Sequence, residues 1–92
     1  MPGDGLSDSN PGTIRKININ GSGANSAEAL VRFQQKNGDM ESFFVFCGPG
    51  DDRQKFFGLI ETAFNAMWEK SVIIIQFDIY NGDQRIQSID AA

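Results

Sequence analysis

Hydrophobic and polar positions alternate through most of the chain, and one central stretch switches to helical spacing. Ile14, Ile17 and Ile19, interleaved with Arg15, Lys16 and Asn18, predict a first strand over Thr13–Asn20, closed by Gly21-Ser22-Gly23. Ile14 and Ile17 fall out of strict alternation, which predicts a bulge between them. From Ala27 to Gln35 the alternation is regular. Ala27, Ala29, Val31 and Phe33 share one face, and Glu28, Leu30, Arg32 and Gln34 the other. Asn37-Gly38 then predicts a hairpin turn into a third strand over Glu41–Cys47. Gly48-Pro49-Gly50 breaks that strand. Asp51 or Asp52 is placed to cap a helix running from about Asp52 to Lys70, with Gln54 three after Asp51 as in a capping box. Phe56, Ile60, Ala63, Phe64 and Met67 form its expected inner face, with Arg53, Glu61, Asn65 and Glu69 opposite. Ser71–Tyr80 returns to strand, Asn81-Gly82-Asp83 is a second hairpin turn, and Arg85–Ile89 is a short last strand.

Three strands, one helix and two strands is the element order of the five-stranded oligonucleotide/oligosaccharide-binding (OB) barrel. The expected fold is therefore mainly β (α+β): an OB-fold-like antiparallel barrel with the helix between strands three and four. The same periodicity also fits an open five-stranded antiparallel sheet with the helix across one face. Gly21–Gly23 and the bulge near Lys16 favour closure, because a strongly coiled small barrel needs such bends. Residues 1–12 hold three glycines, two prolines and Leu6 as the only internal apolar residue, a composition that does not offset its ordering entropy. The expected organisation is a flexible N-terminal tail over 1–12 and a single OB-fold-like domain over 13–92.

Strand four is apolar on both faces, through Val72, Ile73, Ile74, Ile75, Phe77 and Ile79, and strand three repeats this with Phe43, Phe44, Val45 and Phe46. A half-buried antiparallel strand alternates, so a strand apolar on both faces needs cover on both. One helix covers only part of that surface. The pattern thus predicts a homo-oligomer, with Phe43, Val45, Val72, Ile74, Phe57 and Trp68 at its interface. The alternative is that the helix covers enough and a few aliphatics stay exposed.

Charge and composition remove several function classes. Eight basic residues against twelve acidic ones give a net charge of −4, and Thr13–Ala92 alone carries eight positive and ten negative charges. The overall field repels phosphate backbones and anionic lipid, so nucleic acid is a disfavoured partner. No apolar run approaches the roughly 18 residues of a membrane span, so no membrane insertion is expected. Met1–Asn10 lacks the basic flank and apolar segment of a secretory signal. There is no histidine, which removes the commonest general base and pH switch. Cys47 is the only cysteine; it forms no intrachain disulfide and builds no zinc site alone, and it has no imidazole to activate it as a nucleophile. Gly48-Pro49-Gly50-Asp51-Asp52-Arg53 sits between strand and helix as a dinucleotide loop would. Arg53 replaces the third glycine, Pro49 lacks an amide donor, and two aspartates stand where a pyrophosphate would approach. Asp78, Asn81 and Asp83 are a hairpin-end cluster without calcium-loop spacing. No enzyme, cofactor or metal site is expected.

Over Thr13–Ala92 the chain resembles the receptor-binding B subunits of bacterial toxins that assemble as B-pentamers around one catalytic A chain. The resemblance rests on the element order, the amphipathic helix, and the endings Ser71-Val72-Ile73-Ile74 and Arg85-Ile86-Gln87-Ser88-Ile89. It implies a homo-pentamer with strand edges joining neighbouring subunits and helices lining a central pore, and a secreted or periplasmic setting, against a cytoplasmic one otherwise. Members commonly carry an intrachain disulfide, from which this chain departs. The expected function is a non-catalytic homo-oligomeric binding module, recognising glycans through polar turns at Asn20, Ser22, Asn25, Ser26, Asn81 and Asp83. The alternatives are a single-stranded nucleic-acid-binding OB domain using Arg15, Arg32 and Lys36, or a structural or inhibitory protein-interaction subunit.

Overall fold

The computed structural model describes residues 5–21 and 26–92. Its elements are β1 (Ser7–Asp8), β2 (Gly12–Gly21), β3 (Ala27–Gln35), β4 (Met40–Cys47), α1 (Arg53–Glu69), β5 (Ile73–Tyr80) and β6 (Asp83–Ala91). The fold is mainly β, with six strands in one sheet of order β1-β5-β2-β3-β4-β6, β5 and β6 being paired as well. Long antiparallel ladders join β2 to β3, β3 to β4, and β5 to β6. Two junctions are thin: β2 meets β5 only at Gly12↔Ile73, and β4 meets β6 in parallel only at Phe44↔Arg85. The strands therefore curl round without forming a regular barrel.

The expected tail is corrected at its inner end, because Ser7–Asp8 and Gly12 join the sheet. Ser7 and Asp8 pair with Phe77 and Gln76. Ser9 is buried; its N–H donates to the Ile75 carbonyl at 2.8 Å, and its Oγ accepts the Ile75 N–H at 2.8 Å. Side-chain composition does not report such pairing, since what docks here is backbone against the edge of β5. Gly12 is where the chain changes partner, facing Ile73 on one side and Gln35 on the other. A Cβ there would run into the Gln34 carbonyl oxygen and the Phe33 ring, so only glycine allows the approach. Ser9→Ala strips the buried Ile75 N–H of its acceptor, and urea denaturation is expected to show a loss of about 1–3 kcal/mol.

The bulge falls between Ile14 and Lys16, leaving Arg15 without a register partner and bringing Ile14 opposite Phe33 and Ile17 opposite Val31. That one-residue insertion keeps both isoleucines on the inner face. The Asn37-Gly38 loop closes with Gly38 N–H on the Gln35 carbonyl at 2.9 Å and Gln35 N–H on the Asp39 carbonyl at 2.8 Å. Asp52 is the cap of α1, its Oδ1 accepting from the amides of Gln54 and Lys55 at 2.9 and 3.3 Å. Asp51 instead closes the preceding turn by accepting the Gly48 N–H at 2.8 Å, so the expected capping box does not form.

The core gathers Ile14, Val31, Phe33, Phe43, Val45, Ile73, Ile75 and Ile86 from the strands with Phe56, Ile60, Ala63 and Ala66 from α1. Phe43 meets Phe33 and Phe77 edge-on at 5.7 and 5.1 Å between centroids. Phe43 and Val45 are 1% and 2% exposed within the single chain, which removes both from the expected subunit interface. They share the inner face of β4 with Cys47, over which α1 packs. The other face of β4 also finds cover within the chain: Phe44 is buried, and Phe46 stacks on Tyr80 at 5.8 Å.

Candidate functional site

An α-helix turns 100° per residue, so Phe57, Phe64 and Trp68 lie within about 40° of one another on α1, with Glu61 among them. Their exposures are 59%, 39% and 87%, while Phe56, Ile60, Ala63 and Ala66 are buried on a face about 100° away. Phe57 is braced edge-on against Phe56 at 5.5 Å. At the usual size of aromatic side chains the three residues leave about 400 Å² of apolar surface in one strip. A strip of that size is the dimension at which exposed patches on small domains mark contact sites.

Phe64 corrects the expected inner face of α1. The alanines decide the roll of the helix: Ala63 and Ala66 are both buried, and their small side chains let the helix backbone approach the sheet closely. That turns Phe64 outward. The residue was detectable in the sequence as the middle member of a second stripe, 57-64-68, at spacings of seven and four. Of the other expected interface residues, Val72 is exposed at 38% just ahead of β5, and Ile74 is half-buried opposite Asp90. Neither lies on α1, so the structure does not gather all six residues into one surface.

Past Phe44↔Arg85, β4 and β6 part, and the first turns of α1 roof a cleft of about 290 Å³ lined by Phe46, Lys55, Phe56, Leu59, Arg85 and Gln87. Its charged groups Asp51, Asp52, Lys55 and Arg85 all have partners within the chain: Asp51 and Asp52 accept backbone amides, and Lys55 and Arg85 donate to side chains. Arg85 grips Asp78 with Nε on Oδ1 at 3.0 Å and Nη2 on Oδ2 at 2.6 Å. Gln87 Nε2 donates to Asp78 Oδ1 at 3.2 Å, Lys55 Nζ donates to Gln87 Oε1 at 3.4 Å, and the Arg85 guanidinium lies 4.4 Å from the Tyr80 ring centre. The Arg85 hydrogen bond, reinforced by Gln87, holds the Asp78 carboxyl below its ordinary value, and Asp78 in turn raises Arg85. This network fixes the β5–β6 hairpin.

Because the folded-state pKa of Asp78 is depressed, its contribution is present above the ordinary carboxylate value of 3.8 and is lost as pH falls through the lower folded-state value. Asp78→Asn is expected to cost about 1 kcal/mol at neutral pH, since both side chains are partly solvated. Denaturation midpoints of wild type and variant should converge on acidification below that range.

The expected polar turns occupy different places. Asn20 and Ser26 flank the β2–β3 connection, whereas Asn81 and Asp83 bracket the β5–β6 turn, where Asn81 and Gly82 take φ of 52° and 83°. Ser22 and Asn25 lie outside the described residues. Ala27 is level with Cys47, and Asp83, two before Arg85, is level with Ser42, which sets the two groups about 16 Å apart along β4. One chain does not bring them into a single site.

Of the basic positions, Arg32 faces Lys16 across the strands, Arg15 is the bulge residue, and Lys36 lies in the hairpin loop. The neighbouring outer-face rings are committed, Phe44 to burial and Phe46 to Tyr80. Cys47 is buried, and among the described residues no three metal-ligating side chains gather. No helix among them is long and apolar enough to cross a membrane.

No protein-family model matches the chain, and no curated protein or solved structure shows detectable similarity to it.

Proposed function

We propose that this protein is a non-catalytic homo-oligomeric interaction subunit that assembles through the outer face of α1. The observation that carries the reading is the Phe57-Phe64-Trp68 stripe, with Trp68 87% exposed in the single chain. A tryptophan left in water at the end of a helix stripe that also carries two exposed phenylalanines has the composition of a binding hot spot. An OB-like descent, resembling the toxin B subunits, is supported by the circuit of pairings β2–β3–β4–β6–β5–β2 with the helix connecting β4 to β5. Glycan recognition draws less support, because the polar turns lie at separate levels of the sheet. Single-stranded nucleic acid draws less still, because the outer-face rings of β4 are taken up by burial of Phe44 and by the Phe46–Tyr80 stack. A non-catalytic role accords with a buried cysteine and with an Asp78 carboxylate already committed to Arg85.

Light scattering on a size-exclusion column tests the reading. The expected mass at tens of micromolar is a multiple of the 10.1 kDa chain. A mass of one chain at every concentration up to the solubility limit would remove it.

A further inference from the structure

We infer that the partner of the α1 stripe is the same stripe of a second copy, packed antiparallel about a two-fold axis near Thr62 and Ala63. This rests on the homo-oligomer reading above and adds the geometry and number of subunits.

The stripe has the spacing of a coiled-coil seam. Phe57 and Phe64 are seven apart, as are Glu61 and Trp68, and the two pairs interleave at four, three and four residues over the 17-residue helix. The seam contains one charge, Glu61, and that charge distinguishes the two orientations. In a parallel pair each Glu61 would face its own copy in the same layer, as would each Trp68. In an antiparallel pair Phe57 faces the partner's Trp68, and Glu61 faces the partner's Phe64 ring, with room for the carboxylate to turn outward to water. The helix macrodipoles are also opposed in the antiparallel pair.

Area agrees with a second copy as occupant. Two stripes supply about 800 Å² of aromatic surface between them, and the exposed side chains of Gln54, Glu61 and Asn65 alongside add to it, which places the pair at the small end of protein–protein interfaces. The seam is self-complementary end to end, with a bulky Trp68 at one end and Phe57 at the other.

Sedimentation equilibrium of the full chain, with a double electron–electron resonance distance on a spin label at Gln54→Cys, tests the inference; Cys47 is buried and does not label under native conditions. Gln54 is about eight residues from the axis, so the expected result is a mass twice 10.1 kDa and one label separation of about 25–30 Å. A shorter separation in a dimer overturns the antiparallel arrangement. A larger ring with two label distances overturns the two-fold while leaving the homo-oligomer reading standing, and a mass of one chain overturns both. Phe64→Glu should return the monomer with an unchanged circular dichroism spectrum. If Phe64→Glu remains a folded dimer, the inference falls.

Discussion

Truncating Phe43 to alanine is expected to lower the unfolding free energy by about 3–5 kcal/mol, which for a domain of this size is about half of its stability. Phe43 is 1% exposed, faces Phe33 and Phe77 edge-on, and sits where β4 lies beneath α1. Removing the ring takes away two aromatic contacts and opens a cavity that neighbouring strands cannot collapse into, because their ladders hold them apart. Urea denaturation of the isolated variant gives the number. The result separates two roles for the residue: a core phenylalanine costs stability at any protein concentration, whereas an interface phenylalanine would change the concentration dependence and leave the monomer's midpoint in place.

The converse outcome is expected on α1. Replacing Phe57 and Trp68 together by serine should abolish assembly, weakening self-association by at least 100-fold, since hot-spot aromatics each contribute about 2 kcal/mol or more. Monomer stability should change by no more than about 0.5 kcal/mol, because both side chains are largely in water in the single chain. Analytical ultracentrifugation across a dilution series, read beside a urea titration of the dissociated protein, measures both quantities. Loss of stability equal to the loss of assembly would mean that these rings pack within the chain and not between chains.

Much of the secondary structure was legible because turn and cap chemistry is local. Asn37-Gly38 and Asn81-Gly82 mark their hairpins, Gly48-Pro49-Gly50 separates β4 from α1, and Asp52 caps the helix through its own carboxylate. The second turn carried more than its position. A two-residue Asn-Gly loop sets Tyr80 opposite Asp83 and, two rungs on, Asp78 opposite Arg85, so the ion pair could be read from the hairpin register. What was not legible depends on tertiary choices. Phe43 and Phe44 are chemically alike and one residue apart, and only the placement of α1 decides which face of β4 joins the main core. Phe64 could have belonged to either of two apolar stripes on one helix, and the close approach of Ala63 and Ala66 to the sheet selects the other. Residues 7–9 dock on β5 through backbone pairing that leaves no hydrophobic signature, with the Ser9 hydroxyl adding one further bond. The polar turns looked equivalent in composition, yet register separates them along β4.

Trp68 is the only tryptophan in the chain, which makes the proposed interface its own reporter. Tryptophan emission followed over a dilution series, together with quenching by acrylamide, measures whether that ring leaves water when copies associate. An α1-mediated homo-oligomer predicts a red-shifted, readily quenched emission at low concentration that moves to the blue and becomes protected as concentration rises, with the same midpoint as the mass measured by light scattering. Emission that stays red-shifted and fully quenchable while the mass rises above one chain, or at all concentrations of a chain that never associates, would contradict it.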